Sequence, residues 1–312
     1  MDNNNPASLT CRNNLEEGLN MEVTFRKLHP TFVAEASGVE LRSARDTRVL
    51  DQIRAGMDEY AVLVFRNQRL TLDEQLEFTE RFDGKIHRAT SAAALSKNRH
   101  GDDAYADIGN VSESGEVMDA SDRRRMNNMG NRLWHTDASF VDPCGRYSML
   151  SAKVVPPVGA DTEFADMRAA HDALDVARRA SLEGLKVFHS IVHSRSTLGF
   201  EFSEEERQRL PGAVQPLIRT ISGSGRKSLH LASHASHVID WPVPEGRLLL
   251  LELMEHATQS QFIYRHRWLD YDFVVWDNRA TMHRATRFDD TQQRRELVRT
   301  TTIDLPLVTV HG

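Results

Sequence analysis

Residues 133–140 read LWHTDASF, which places an imidazole, His135, and a carboxylate, Asp137, two positions apart among apolar neighbours. On an extended segment residues i and i+2 project from one face, so both side chains converge on one point. Polar groups that are costly to bury usually share a partner. Far along the chain, the apolar run 273–276 passes through a polar turn to His283, 148 positions after His135. Two imidazoles and one carboxylate form the facial set that leaves three positions of an octahedral iron(II) open, where co-substrate and oxygen could bind. On spacing alone, His-x-Asp also fits a hydrogen-bonded surface pair, and 14 histidines offer many distal partners. The C-terminal run RRELVRTTT adds a constraint: Arg295 and Arg299 are four apart and share one face of a strand, while Arg294 points away. Two guanidiniums facing a buried interior need anions.

Residues so far apart in sequence meet only if the fold returns a late strand beside an early one. The texture after residue 140 is mostly β: RYSMLSAKVV, TEFADM, the hairpin PLIRTISGSGRKSLHLAS, then FIYRHRW, DFVVWD and ELVRTTTI. Helices are expected over 167–182 and in GRLLLLELMEHAT. Earlier, Val49, Leu50, Ile53 and Met57 recur at helical spacing before a short apolar strand over 61–65. Thr71 with Glu74 is a capping-box start for a helix that Gly84 ends. Short strands with outer helices make the chain mainly β with flanking helices, as a double-stranded β-helix or jelly roll of the cupin type. The irregular segment 85–130, with YADIGNV as its one strand-like run, reads as an active-site lid.

The chain has 312 residues, a formal net charge of −6 and a pI near 6.2, so neither nucleic acid nor an anionic membrane is an expected partner. Cys11 and Cys144 give no disulfide framework, which points to a reducing cytoplasm. No run reaches the roughly 18 apolar residues of a membrane span, and the N-terminus lacks the apolar core of a signal peptide. Residues 1–20 read as a polar tail and 21–312 as one domain. Other motifs have plainer readings. His234 and His237 in HASH read as loop or lid polar residues, SGSGRK as a hairpin turn and DRRRMNN as a solvated face. Trp134, Trp268 and Trp276 read as core.

From about Met21 onward the chain resembles the TauD/TfdA family of iron(II)- and 2-oxoglutarate-dependent dioxygenases, and most closely its phenoxyacetate-cleaving branch. The matching stretches are LWHTDASF, RYSMLSAKVVPPVGADTEFADMRAAHDAL, GSGRKSLHLASHASHV, EHATQSQFIYRHRW and VVWDNRATMHRATRFDDTQQRRELVRTTTI. The resemblance implies that His135, Asp137 and His283 hold the iron. It implies that Thr162 and Arg295 contact the distal carboxylate of 2-oxoglutarate, and that Arg299 binds the substrate's anionic group. Asn131 is a weaker match to a pocket-lining Asn. The loop between His283 and the arginine pair is one residue longer than in the family's taurine-cleaving member.

The resemblance further implies oxidative decarboxylation of 2-oxoglutarate by O2 to succinate and CO2, coupled to hydroxylation of a small anionic organic substrate. An aryloxyalkanoate hydroxylated beside its ether oxygen would collapse to a phenol and glyoxylate. The apolar lid patches SAAAL and YADIGNV suit an aromatic ring, and Lys85 and Lys97 could add charge for its carboxylate. Taurine or another alkylsulfonate is the rival substrate. A zinc hydrolase would use the same ligands but needs a base that the motifs do not supply. A non-catalytic 2-oxoglutarate sensor would have no use for Arg299. A homo-oligomer is expected.

Overall fold

Strands that are buried at every position must be covered on both faces, and two of these, Val62–Phe65 and Phe273–Asp277, lie at the centre of the largest sheet among the described residues. The structure, a computed structural model, describes residues 22–88 and 99–305; the expected tail 1–20, the stretch SAAAL and Lys97 lie outside the described residues. The large sheet takes β1 (Thr24–Lys27), β2 (Ala34–Ser37), β3 (Val62–Phe65), β4 (Ala106–Asp107), β5 (Gly145–Val154), β13 (Phe273–Asp277) and β15 (Glu296–Ile303). Their order is β1-β2-β3-β13-β5-β15-β4. A smaller sheet sets β6 (Thr162–Asp166) between β12 (Ile263–His266) and β14 (Thr281–Ala285).

Alternation along the strands divides the core. Val62, Val64, Leu150, Ala152, Val274, Trp276 and Leu297 pack inward with Phe164 of the smaller sheet. Leu63, Phe65, Met149, Phe273 and Val275 face outward beneath α1 (Thr47–Tyr60) and α2 (Leu72–Asp83). Two facing sheets with helices outside the larger one are the expected mainly β, jelly-roll arrangement. Beyond the smaller sheet lie α3 (Arg123–Asn128), α4 (Met167–Asp172), α5 (Val176–Leu182), α6 (Ile191–Ser196), α7 (Glu204–Gln208) and α8 (Val243–Ala257). There too are the hairpin of β9 (Ile218–Thr220) with β10 (Lys227–Leu229), and a sheet ordered β11 (Ala235–Val238), β7 (Lys186–His189), β8 (Ala213–Pro216). Among the described residues no helix is long and apolar enough to cross a membrane.

Four expectations need correction. The helix expected over 167–182 is two, because Asp175 breaks it by accepting a hydrogen bond from Arg178 N–H at 2.8 Å and capping α5. LWHTDASF is not a strand: only His135 forms a β-bridge, with His283, and the chain then turns through Ala138 at φ 55°. DRRRMNN is not simply solvated, since Arg125 turns inward to pair with Asp290 at 3.0 Å. Lys85 is exposed and contributes its carbonyl to Ile303 N–H; its ammonium stays in water.

The start of α2 follows its sequence signature, with Thr71 Oγ1 accepting from Glu74 N–H at 3.1 Å and Glu74 Oε2 accepting from Thr71 N–H at 2.8 Å. Gly84 ends it at φ 87°, a conformation that favours glycine. Because α2 lies over the outer core, Thr71→Ala is expected to lower unfolding free energy by about 1 kcal/mol in urea titrations, with metal binding unchanged.

Candidate active site

At one end of the barrel, the His135 N–H donates to the His283 carbonyl at 3.0 Å and the His283 N–H returns a bond to the His135 carbonyl at 2.7 Å. This clamp brings the imidazoles to a centroid separation of 4.2 Å. The turn after His135 then swings Asp137 onto them, with Asp137 Oδ2 3.8 Å from His283 Nε2. One donor atom from each of His135, Asp137 and His283 lies within 4.8 Å of the others, and all three residues are buried. His135 Nδ1 sits 2.8 Å from the Leu133 carbonyl, so its N–H is directed there and the Nε2 lone pair is left as the donor. His283 Nδ1 has no hydrogen-bond partner among the described residues. Two neutral imidazoles and an ionised carboxylate fit a divalent metal that keeps open positions.

A polar cluster holds the carboxylate in place. Asn278 Oδ1 accepts from Asp137 N–H at 3.0 Å and from Trp276 Nε1–H at 3.1 Å, while Asn278 Nδ2 donates to Ser148 Oγ at 2.9 Å. Ser148 Oγ donates in turn to Asp137 Oδ2 at 2.7 Å. The Arg299 guanidinium hydrogen-bonds the other carboxylate oxygen. Sequence reasoning misses Asn278 and Ser148: each belongs to a strand or turn whose visible signal is apolar alternation, and their roles emerge only from cross-strand pairing.

The remaining candidates divide between two adjoining cavities that share Ile108, Asn128 and Asn131. One holds His135, Asp137 and Arg299, with an apolar wall from Ala104, Ala106, Ile108, Phe140 and Ile191. The other holds Arg295, whose Nη1 donates to the Ile108 carbonyl at 2.9 Å and whose buried Nε has no partner. Arg294 points outward and pairs with Glu296 at 2.7 Å. Thr162 is buried and in register with Ala285, which lines the Arg295 cavity, but its Oγ1 accepts from Trp268 Nε1–H at 3.0 Å and it lines neither cavity itself. Lys85 lines neither. His234, read from sequence as a loop or lid residue, is buried in the first cavity with its ring 6.0 Å from that of His135. Its single-residue signal is indistinguishable from that of the other histidines.

Burial sets the protonation of these groups. It lowers His135 to about 4 and His189 to about 3, and pushes His230, His234 and His283 well below the ordinary imidazole value. Burial opposes ionisation of Asp137, but Arg299, then His283, His135 and the Ser148 hydroxyl outweigh it and hold the carboxyl below its usual range. Arg295 is pushed down to about 10 by burial, against which Asp161 acts.

A jelly roll with two histidines and one carboxylate clamped at its mouth defines the class of mononuclear metal enzymes with a facial ligand set. The chain belongs to the taurine catabolism dioxygenase TauD, TfdA family, whose sequence pattern matches residues 24–301. It is 47% identical over 285 residues to the alpha-ketoglutarate-dependent 2,4-dichlorophenoxyacetate dioxygenase of Cupriavidus pinatubonensis, covering 91% of this chain and 99% of that protein. It is 37% identical over 276 residues to the (S)-phenoxypropionate/alpha-ketoglutarate-dioxygenase of Sphingobium herbicidovorans, covering 86% and 90%. Among solved structures, AAD-2 in complex with Mn(II) and N-oxalylglycine superposes with a TM-score of 0.86 at 41% identity, over 91% of this chain and 98% of that one. The fold is the cupin jelly roll of TauD/TfdA-type dioxygenases, and the enzyme is an oxidoreductase of that kind.

Asn278→Ala removes the group that fixes both the Asp137 backbone and Ser148, and is expected to weaken metal binding by about 10- to 100-fold in titrations while the fold is retained. In the metal-free protein the buried imidazoles stay neutral, whereas in the unfolded chain they take protons below about their ordinary value of 6.5. Their depressed pKa values therefore make stability complete above pH 6.5 and reduce it as pH falls toward 4, by up to about 1.4 kcal/mol per pH unit for each histidine. Thermal melts at pH 7, 6 and 5 check this; an unchanged Tm would contradict it.

Proposed function

We propose that the enzyme is an iron(II)- and 2-oxoglutarate-dependent dioxygenase that hydroxylates an aryloxyalkanoate of the phenoxyacetate type, releasing a phenol and glyoxylate beside succinate and CO2. The observation that carries the reading is Arg299, a guanidinium bound to Asp137 at the metal site in a cavity with an apolar wall from Ala104, Ala106, Ile108, Phe140 and Ile191. A cation beside an apolar slot suits a molecule with a carboxylate at one end and an aromatic ring at the other. The names of the relatives from Cupriavidus and Sphingobium point to the same substrate class.

His135, Asp137 and His283 would hold the iron. Bound iron(II) with 2-oxoglutarate and O2 supplies the oxidising power for a C–H bond. The protein's share is orientation and exclusion of water. Asn278, Ser148 and the Leu133 carbonyl fix the ligands. Arg295, with an unpartnered Nε in a cavity that shares three residues with the first, receives the distal carboxylate of 2-oxoglutarate, and Thr162 supports that end through the strand register. Arg299 holds the substrate's carboxylate near the ligand set, which keeps the adjacent carbon, the one bonded to the ether oxygen, closest to the reacting centre. A hydroxyl on that carbon makes a hemiacetal, and loss of the phenol leaves glyoxylate.

The deciding experiment supplies iron(II), 2-oxoglutarate and O2 with phenoxyacetate, both phenoxypropionate enantiomers, a cinnamate and taurine, and measures succinate and phenol. Phenol in step with succinate from phenoxyacetate is expected; succinate stimulated by taurine alone would overturn the substrate class. Arg295→Ala is expected to raise the 2-oxoglutarate requirement by the equivalent of about 2–5 kcal/mol, with Arg294→Ala nearly silent. Arg299→Ala is expected to keep the anaerobic visible charge-transfer band of iron(II) with 2-oxoglutarate and to lose phenoxyacetate affinity.

A further inference from the structure

The substrate cavity contains a second guanidinium that sequence motifs do not mark. Arg195, near the end of α6, is buried at 3% exposure and lines the cavity with His135, Asp137 and Arg299. Its Nη2 donates to Asn131 Oδ1 at 3.1 Å and its Nη1 to Ser194 Oγ at 3.3 Å, both neutral acceptors, and its Nε has no partner among the described residues. The carboxylates of the cavity are already engaged: Asp137 by Arg299 and Asp107 by Arg99, at 2.5 Å in the latter pair. Among the described residues, no ion pair of Arg195 exists to set against the cost of burying it. Burial, and next the like charge of Arg299, press its pKa down to about 10, so it remains a cation at neutral pH.

The fold also makes room for this cation. A Cβ on Gly130 would lie 2.3 Å from Arg195 Cζ and Nε and 2.4 Å from Cδ, so glycine is what allows the guanidinium to lie against the turn that leads to His135. Gly130 does not have a left-handed φ, so the close approach is the constraint there. The Asp137 carboxylate acts on this cation only through space and is itself bound by Arg299, so a buried cation with a cleared berth and neutral hydrogen-bond partners suits an anion from outside the chain.

We propose that Arg195 is a second anion-binding residue of the substrate pocket, gripping the substrate's carboxylate together with Arg299. The inference rests on the reading of this cavity as the site of an anionic organic substrate. It also takes the role expected of Lys85: Lys85 is exposed, whereas Arg195 lies within the cavity. Two guanidiniums lining one cavity restrict a carboxylate more tightly than one, so Arg195 sets selectivity for acids over neutral ethers.

The test measures binding of phenoxyacetate and of its neutral counterpart phenoxyacetamide to the full-length enzyme loaded with iron(II) and 2-oxoglutarate under nitrogen. Arg195→Met is expected to weaken phenoxyacetate binding by about 10- to 100-fold, the loss that accompanies removal of a charged hydrogen-bond partner. Phenoxyacetamide and 2-oxoglutarate affinities and the Tm should stay near parent values, and Arg195→Lys should restore part of the loss. Gly130→Ala, which displaces the guanidinium but keeps its charge, should weaken phenoxyacetate binding alone and add nothing in the Arg195→Met background. Unchanged phenoxyacetate affinity in Arg195→Met, or equal losses for the acid and the amide, would overturn the assignment while the substrate class stands. A parent enzyme that binds no phenoxyacetate would instead overturn the substrate class and this inference with it.

Discussion

The reciprocal backbone bonds between His135 and His283 are the constraint on which the site depends. They join a loop between α3 and β5 to β14 across 148 residues of sequence, and they do so with main-chain groups that any residue could supply. Because β14 is itself fixed by five register pairs to β6, the position of His283 is inherited from the smaller sheet and passed to His135. The turn through Ala138 completes the set by bringing Asp137 back onto the imidazoles. The geometry of the three donor groups is therefore a property of sheet register, with side-chain conformation as the fine adjustment.

Charge compensation is the second requirement. Three buried donors in one cavity are tolerable because two are neutral imidazoles and the third is balanced by Arg299. The carboxylate accepts from Ser148 and Arg299, while Asn278 holds both the Asp137 peptide N–H and Ser148, so the group is fixed before any ligand arrives. Such preorganisation holds the two imidazoles and the carboxylate in one orientation.

Much of this is legible in the residues. The continuous apolar runs of β3 and β13, the capping box at Thr71, the hairpin of β9 with β10 and the shared face of the C-terminal arginines all depend on local spacing, which sequence displays directly. The hidden parts depend on long-range contact. Asn278, Ser148 and Arg195 look like ordinary polar residues until strands 130 positions apart pair, as Ser148 and Asn278 do. His234 cannot be separated from 13 other histidines without the fold that places it beside His135. The single helix expected over 167–182 fails for a local reason: Asp175 is a stronger cap than the flanking periodicity is a continuation.

Strand β15 links the two cavities. Its register with β5 sets Arg299 opposite Leu150 and Thr301 opposite Ser148, so the arginine that holds Asp137 and the threonine 3.1 Å from Ser148 rise from the same inward face as Leu297 of the core. Arg295 lies just before that strand, and its peptide N–H is held by Asn110 Oδ1 at 2.8 Å. A slip of one residue would exchange Arg295 for the solvent-facing Arg294 and turn Arg299 out of the cavity. The packing of Leu297 against Val62, Val64 and Trp276 opposes that slip, since it would put Glu296 in place of Leu297 at the centre of the barrel. Hydrophobic register in the core thus decides which guanidiniums face the reacting centre, and recognition of co-substrate and substrate is coupled to the stability of a single strand.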